Sequence, residues 1–168
     1  MEFLVKDGKY YFMEVNARVQ VEHPVSELVT GVDIIRQQLL AAGGERLDVT
    51  QEDIKLGAYA MECRINARSA GRIGSLVVPG GFGVRVDTFL HSGYVVPPYY
   101  DHLVAKLLVT AKTRAEGITR MSRALSEFVI EGIGTNISMQ QKIVNHPVFR
   151  KGAYGTGFLE EVLKEAHA

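Results

Sequence analysis

The sequence lacks several features that mark specialised classes of protein. Its single cysteine, Cys63, excludes an internal disulfide and is compatible with a reducing compartment. No apolar run is long enough to span a bilayer, and the N-terminus lacks the basic and then apolar pattern of a signal peptide. The 19 basic and 19 acidic residues balance, so the net charge does not indicate nucleic acid or a membrane surface as a partner. We therefore expect a cytoplasmic protein that binds neither.

Several common catalytic motifs are also missing. The five histidines show no paired zinc spacing, and there is no Gly-x-Ser-x-Gly elbow. The glycines of the run PGGFG, at residues 79–83, are followed by neither the lysine nor the serine of a phosphate-binding loop, which favours a tight turn. With 168 residues, of which 46% are hydrophobic, the chain is long enough for one good core or two small ones.

The most informative stretch is the run FMEVNARVQVEHP at residues 12–24, in which polar and apolar residues alternate. In an extended strand, side chains at alternate positions project from one face. The polar face carries five side chains, namely Glu14, Asn16, Arg18, Gln20 and Glu22, and the other face is apolar. Carboxylates, amides and a guanidinium on one face predict a site for anions and metal. The plainer alternative is a solvated strand face.

The segment before this stretch is predicted to form a β-hairpin, because Asp7-Gly8 lies between two runs of strand-forming residues. A two-residue turn would pair Lys6 with Lys9, whereas a turn with Gly8 in a bulge would pair Val5 with Lys9. We favour the second register because it gives one continuous apolar face. It also places Glu2 on the face of Glu14, where two carboxylates repel unless a cation such as Mg²⁺ or Mn²⁺ lies between them.

A helical stretch is predicted after His23-Pro24, with capping-box spacing between Thr30 and Asp33 and an end at Gly43-Gly44. We expect its apolar stripe to pack against the apolar face of the hairpin. Residues 44–56 are polar and unpatterned, and we interpret them as a link between two structural units.

The second unit opens with the run GAYAMECRIN at residues 57–66, which alternates again. Glu62 and Arg64 share one face, and Cys63 lies on the apolar face, which indicates core packing rather than a nucleophile. Three further strands are predicted, followed by a helix capped by Thr113, a helix capped by Asn136 and a terminal helix over residues 158–166. Strands followed by helices predict an α+β fold with a mainly antiparallel sheet.

Four runs of sequence resemble biotin carboxylases. The run EVNARVQVEHPVSELVTGVDIIRQQLLAAG resembles the end of their ATP-grasp domain, and GAYAMECRINA, PGGFGVRVD and GYVVPPYYDHLVAKL resemble their C-terminal domain. The resemblance implies an ATP-grasp remnant at residues 1–50 and a biotin carboxylase C-terminal domain at residues 55–168. It also implies an ATP-dependent ligase that activates bicarbonate as carboxyphosphate and carboxylates biotin on a carrier protein.

The resemblance further implies roles for individual residues. Glu2 and Glu14, with Asn16 beside them, correspond to ligands of the metal that bridges the nucleotide phosphates, and Leu4 corresponds to an adenine contact. The bicarbonate and biotin pocket corresponds to five residues, with Glu22 as general base, Arg18 and Arg64 as catalytic arginines, and Gln20 and the backbone of Val21 completing the pocket. Arg64 would stabilise the biotin enolate.

The implied partners are the biotin carboxyl carrier protein, a carboxyltransferase and a second copy of the chain. Phe82 and Arg85 match positions at the homodimer interface of bacterial relatives. The implied parent enzyme is of the acetyl-CoA carboxylase type, which serves fatty acid biosynthesis. Pyruvate- and propionyl-type carboxylases share the same motifs.

Two departures from the family pattern shape the expectations. The chain begins at Met1, close to Glu2, without most of the ATP-grasp domain, so we expect the isolated chain to be inactive. Relatives also carry several more residues between Arg68 and Ser69, a shortening that either alters the biotin side of the site or is a harmless surface deletion. Two alternatives remain, a non-catalytic dimerisation module and another ATP-grasp ligase of the carbamoyl-phosphate synthetase type.

Overall fold

The computed structural model describes residues 1–165. The strands in this range are β1 Glu2–Lys6, β2 Lys9–Glu14, β3 Tyr59–Asn66, β4 Gly71–Arg72, β5 Leu76–Val77, β6 Val84–Thr88, β7 Val95–Val96, β8 Leu103–Ala111 and β9 Val129–Ile130. The helices are α1 His23–Thr30, α2 Ile34–Ala42, α3 Arg114–Glu127, α4 Ile137–Asn145, α5 Pro147–Lys151 and α6 Phe158–Glu165, with a 3₁₀ turn at Gln51–Asp53. Within these residues, every helix is too short or too polar to cross a bilayer.

The predicted α+β fold is confirmed. Strands β3, β8 and β6 form an antiparallel sheet with β8 in the middle, and two small antiparallel pairs, β4 with β7 and β5 with β9, flank it. Strands β1 and β2 form a separate hairpin. Antiparallel neighbours need no crossover helix between them, and this suits the loop-rich segment that leads from β3 to β8.

The hydrophobic core lies between one face of this sheet and helix α3. Ile65 and Leu107 from the sheet, and Ile118, Met121 and Leu125 from the helix, are all buried. The Thr113 side chain caps α3 by accepting a hydrogen bond from the Glu116 N–H at 3.3 Å, as predicted. The helix ends at Glu127, and Val129 begins β9.

The opposite face of the sheet is charged and lies beneath helix α1. Strand register places Lys106 directly opposite both Arg64 on β3 and Asp87 on β6. Alternation along the strands adds Glu62 and Arg85 to the same face. Helix α1 contacts β3 and β8, and Pro24 at its first turn is buried. We call this surface the charged face of the sheet.

The prediction of one long strand from Glu14 to Glu22 is wrong. Strand β2 ends at Glu14, because β1 begins at Glu2 and Glu2 already pairs with Glu14. Residues beyond Glu14 therefore have no partner strand in the hairpin. The chain then turns before α1, where the His23 N–H donates to the Gln20 carbonyl at 3.2 Å.

The preferred hairpin register is also wrong. Asp7 and Gly8 adopt left-handed φ angles of 51° and 73°, which is the type I′ turn that matches strand twist, and Lys6 pairs with Lys9. A bulge at the far end, between Glu2 and Phe3, then restores the pairing of Glu2 with Glu14. Glu2 and Glu14 therefore lie close together, as expected, although the strands pair in a different register.

The helical stretch after Pro24 is divided in two. Gly31, with a left-handed φ of 75°, ends α1, and the Asp33 side chain caps α2 by accepting from the Arg36 N–H at 2.8 Å. Thr30 is the last residue of α1 rather than a cap. The prediction that this stretch packs on the hairpin is wrong, because α1 packs on the main sheet and large apolar side chains on both hairpin strands are exposed.

The C-terminal helices follow the predicted order. Asn136 precedes α4, but its side chain makes no cap and instead holds β3, accepting from the Asn66 N–H at 2.8 Å and donating to the Arg64 carbonyl at 3.0 Å. The predicted end of the terminal helix at residue 166 lies outside the described residues.

Candidate active site

The first cluster of site residues surrounds the carboxylates of Glu2 and Glu14, which face each other across the hairpin. The Asn16 side-chain amide donates to Glu2 Oε1 at 2.6 Å and to Glu14 Oε1 at 3.0 Å. The Gln20 amide donates to the same Glu2 oxygen at 3.1 Å. We call these four residues the carboxylate cluster. The N–H groups of these two side-chain amides carry partial positive charge, which offsets the repulsion between the two carboxylates.

The donor set of the carboxylate cluster fits a hard divalent cation. Carboxylate and amide oxygens are the protein ligands that Mg²⁺ prefers, and Mg²⁺ usually takes only one or two carboxylates, with phosphates and water completing its shell. Within residues 1–165 no group of three or more His, Cys, Asp or Glu residues could hold a metal alone. The cluster therefore fits a cation that is also bound by phosphate oxygens, rather than a cation bound by protein ligands alone.

The second cluster is centred on Arg64 and Glu22. Arg64 Nη2 donates to Glu22 Oε2 at 2.6 Å, and the two side chains are 48% and 49% exposed. Arg64 is held by its strand position and by Asn136, and Glu22 precedes α1 directly. This contact joins the segment that contains the carboxylate cluster to the main sheet. The resemblance assigns these two residues to one pocket, and in the structure their side chains are in contact.

Lys106 ties the same segment to the sheet. Its ammonium group donates to the Val21 carbonyl at 3.3 Å and lies 3.7 Å from the Asp87 carboxylate. His23 Nδ1 contacts the Gln20 carbonyl at 2.7 Å, so Gln20 and Val21 are both fixed through their backbone. Sequence reasoning missed Lys106. The signal was present, because Lys106 is the only charged residue in the run VAKLLVTA.

Glu62 is the second residue that sequence reasoning missed. Its side chain is only 5% exposed, and within the described part of the chain neither carboxylate oxygen has a hydrogen-bond partner. Arg64 Nε lies 3.7 Å from Glu62 Oε1, which is close enough for an ion pair but too far for a hydrogen bond. Burial raises the pKa of Glu62, while the charges of Lys106 and Arg64 oppose that rise. Alternation in the sequence placed Glu62 on the face of Arg64 but did not indicate its burial.

Other predicted site residues are not gathered into either cluster. The Arg18 guanidinium is exposed and donates to the neighbouring Val19 carbonyl at 3.2 Å. Leu4 lies in the middle of β1 opposite Tyr11 and is largely exposed. The shortened loop is docked, since the Gly134 N–H donates to Ser69 Oγ at 3.0 Å and the Arg68 N–H donates to the Gly134 carbonyl at 2.7 Å.

Phe82 and Arg85, the predicted interface residues, differ sharply in their surroundings. Phe82 is 91% exposed, with the Arg120 guanidinium 5.7 Å from its ring centre. Arg85 donates to both oxygens of Asp87, at 2.8 and 2.9 Å, and to Glu27 Oε2 at 2.8 Å. Although burial pushes the pKa of Asp87 upward, the hydrogen bonds from Arg85 hold it below its usual value. Arg85 therefore stabilises the charged face of the sheet.

Comparisons with known proteins cover both clusters. Residues 62–161 match the family described as the biotin carboxylase C-terminal domain, and residues 1–50 match the ATP-binding domain of the carbamoyl-phosphate synthase L chain. The chain is 51% identical over 162 residues to Biotin carboxylase 1 of Bacillus subtilis, covering 92% of this chain and 36% of the relative. It is 47% identical over 169 residues to the biotin carboxylase of Haemophilus influenzae, covering 96% of this chain and 38% of the relative.

Solved structures show the same similarity. The biotin carboxylase domain dimer of the Hydrogenobacter thermophilus 2-oxoglutarate carboxylase, in complex with MgADP, ADP and bicarbonate, superposes with a TM-score of 0.91 at 45% identity. That match covers 95% of this chain and 37% of the other. The biotin carboxylase of Campylobacter jejuni matches with a TM-score of 0.90 at 40% identity, over 95% of this chain and 37% of the other. The chain thus spans little more than a third of the length of these relatives.

Proposed function

The chain belongs to the biotin carboxylase family, since that family's C-terminal domain accounts for residues 62–161, and from this premise we propose that it forms the C-terminal part of an enzyme that carboxylates carrier-bound biotin. In the whole reaction a bicarbonate oxygen attacks the γ-phosphorus of ATP, the bond to ADP breaks, and carboxyphosphate forms. The carboxyl group then passes to a ureido nitrogen of biotin and phosphate leaves. We further propose that residues 1–50 end the ATP-grasp domain and residues 55–168 form the C-terminal domain.

The observation that carries this proposal is the contact between Glu22 and Arg64. Each residue comes from a region that matches a different domain family, and their side chains meet at 2.6 Å. A general base must lie within hydrogen-bond reach of the proton it removes, and Glu22 is half-exposed at the point where the two regions join. We assign Glu22 as the base that deprotonates bicarbonate.

The arginines would bind the anionic groups of the reaction. Arg64 carries a permanent charge in a planar fork, which suits the negative charge that develops on the biotin ureido oxygen. Arg18 is exposed and bonded only to a neighbouring carbonyl among the described residues, so it is free to turn toward bicarbonate. Gln20 and the backbone of Val21, both held in place by their carbonyl contacts, would complete the bicarbonate pocket.

The carboxylate cluster would hold the metal of the nucleotide. Glu2, Glu14 and Asn16 fit Mg²⁺ or Mn²⁺ shared with phosphate oxygens. The bound cation would supply positive charge to the phosphates during transfer. Leu4 would contact the adenine, which the apolar and exposed character of β1 supports.

The proposed partners are a second copy of the chain, the biotin carboxyl carrier protein and a carboxyltransferase. Phe82 and Arg85 would lie at the homodimer interface, which the exposure of Phe82 supports. The relatives include components of pyruvate and 2-oxoglutarate carboxylases, so the biotin half-reaction is the common element. Among the carboxylases that share this half-reaction, the whole enzyme would be an acetyl-CoA carboxylase of cytoplasmic fatty acid biosynthesis.

A chimaera tests the proposed function. This chain would replace the matching segment of Bacillus subtilis Biotin carboxylase 1, and bicarbonate- and biotin-dependent ADP formation would be measured. We expect activity in the chimaera, none in the isolated chain, and a loss of about 10²–10⁴-fold on Glu22→Gln. Glu52→Gln, at an exposed residue of the 3₁₀ turn, is the matched control. A folded chimaera that binds ATP without biotin-dependent turnover would favour the non-catalytic module.

A ligase of the carbamoyl-phosphate synthetase type is the other catalytic alternative. The match of residues 1–50 to an ATP-binding domain of that name is consistent with it. Residues 62–161 match the biotin carboxylase C-terminal domain, however, and Arg64 lies in that part. The site that joins Glu22 to Arg64 therefore supports the biotin reaction.

A further inference from the structure

The carboxylate of Glu62 lacks a hydrogen bond where one is expected. Its side chain is 5% exposed, and within residues 1–165 both oxygens are without a donor. A buried acceptor that has lost water and gained no donor costs free energy, and buried polar groups are nearly always paired. An unpaired carboxylate in this position indicates that a donor reaches it in another state of the protein.

Arg64 is placed to be that donor. Its Nη2 is bonded to Glu22 at 2.6 Å, while its Nε lies 3.7 Å from Glu62 Oε1, which is too long for a hydrogen bond. Glu62 and Arg64 stand two positions apart on β3 and so share one face. The guanidinium carries five donors in a fixed fork, so it has donors to spare for a second carboxylate.

The other charged groups around Glu62 have partners of their own. From β8, Lys106 is engaged with the Val21 carbonyl and Asp87. From β6, Arg85 binds Asp87 and Glu27, and Glu27 belongs to α1. His23, at the start of α1, contacts the Gln20 carbonyl. Glu22, also from the α1 side, is the group that now holds Arg64.

We propose that Glu62 is a positioning residue for Arg64, and that the Arg64 guanidinium moves from Glu22 to the buried carboxylate of Glu62 when Glu22 takes up a proton. A neutral Glu22 is no longer the charged acceptor that makes the 2.6 Å bond strong, whereas Glu62 offers a charged acceptor close by. The inference rests on the proposed role of Glu22 as a base. In this role Glu62 holds the Arg64 guanidinium on the charged face of the sheet after Glu22 has accepted the proton.

The direction of the pKa of Glu62 is consistent with this proposal. Burial raises the pKa of Glu62, and the charge on Glu22 raises it further, while Lys106 and Arg64 act against the rise. A bonded guanidinium would lower it more than a guanidinium that is bonded elsewhere.

The experiment is a carboxyl-¹³C NMR titration of Glu62 in the 168-residue chain and three variants, Glu22→Gln, Arg64→Met and the double variant. Glu22→Gln mimics the protonated base. We expect it to lower the pKa of Glu62 by about 1–2 pH units when Arg64 is present. In the Arg64→Met background we expect a much smaller decrease, which reflects only the removal of a like charge.

Equal decreases in the two backgrounds would overturn the proposal, as would a Glu22→Gln structure in which Arg64 stays beyond hydrogen-bond distance of Glu62. Glu22→Ser is a second variant that removes the charge if the first fails to fold. The titration does not depend on turnover. An inactive chimaera with an intact titration effect would therefore refute the proposed function alone, and an active chimaera without the effect would refute the role of Glu62 alone.

Discussion

The guanidinium of Arg64 lies 2.6 Å from the carboxylate of Glu22, although 42 positions separate the two residues in the sequence. The contact joins the irregular segment before α1 to β3 of the main sheet. Both side chains are about half-exposed, so the pair contributes little to stability. The contact matters because it fixes the Arg64 guanidinium and the Glu22 carboxylate next to each other.

Removing this pair should separate stability from activity. Glu22→Gln or Arg64→Met should change the free energy of unfolding of the chain by less than about 1 kcal/mol, measured by urea denaturation. In the chimaera each should lower biotin-dependent ADP formation by about 10²-fold or more. Arg123→Met is the matched control, because Arg123 and Glu127 form an equally exposed pair at 2.6 Å on α3. A similar loss of activity in the control would contradict the assignment.

Glu62→Gln should stabilise the chain at pH 7 by about 1 kcal/mol, because it removes a buried charge without a hydrogen-bond donor. The pKa of Glu62 is raised above its ordinary value of 4.5, so the folded state binds the proton more tightly than the unfolded state. The cost of the charge is therefore complete above the raised pKa and disappears as the pH falls to about 4.5. Urea denaturation at several pH values should show the advantage of Gln shrinking toward acid.

Glu27→Gln is the control for this prediction. Glu27 has a similarly buried side chain at 9% exposure, but its carboxylate pairs with Arg85 and accepts from the Ile34 N–H at 3.0 Å. Its substitution should destabilise the chain. If both variants shift stability in the same direction, the difference between paired and unpaired carboxylates is not the cause.

Cys63 should be unreactive in the folded chain. It is buried in the core, and burial raises the pKa of its thiol to about 12, so the thiolate is scarce at pH 8. Ellman's reagent should therefore modify it only after denaturation. Rapid labelling of the folded chain would show that the thiol is accessible and that the core-packing interpretation is wrong.

The two proposed interface residues should respond differently to substitution. Phe82→Asp should weaken self-association, measured by sedimentation, without lowering the thermal midpoint, because the Phe82 side chain is exposed. Arg85→Met should destabilise the chain itself by about 1–3 kcal/mol, because it removes the hydrogen bonds of Arg85 to the carboxylates of Glu27 and Asp87. An unchanged dimer in the Phe82 variant would remove Phe82 from the interface.

Mn²⁺ should bind at the carboxylate cluster. Its paramagnetism should broaden the NMR signals of Glu2, Glu14 and Asn16 before those of other residues, because the carboxylates of Glu2 and Glu14 meet at the Asn16 side chain. Glu14→Gln should reduce the broadening, whereas Glu52→Gln at an exposed site away from the hairpin should leave it unchanged. Uniform broadening across the acidic surface would count against a defined metal site.

Several parts of the fold could be predicted because they depend on neighbouring residues. The cap of α3 at Thr113 and the burial of Cys63 follow from spacing and alternation, and the structure confirms both. The hairpin register could not be predicted in the same way. A hydrophobic pattern selects a register only where one face is buried, whereas Phe3 on one face of the hairpin and Tyr11 on the other are both exposed. Turn geometry at Asp7-Gly8 decided the register instead.

The sequence by itself determined the α+β class, the alternating faces of β3, and the hairpin that brings Glu2 and Glu14 onto neighbouring strands. These properties follow from local periodicity, turn chemistry and short connections. Only the tertiary structure decided that α1 packs on the main sheet, that Lys106 holds the Val21 carbonyl, and that Glu62 is buried without a hydrogen bond. Those contacts join residues far apart in the chain. Their energies depend on which surfaces are removed from water together, and no local pattern records that information.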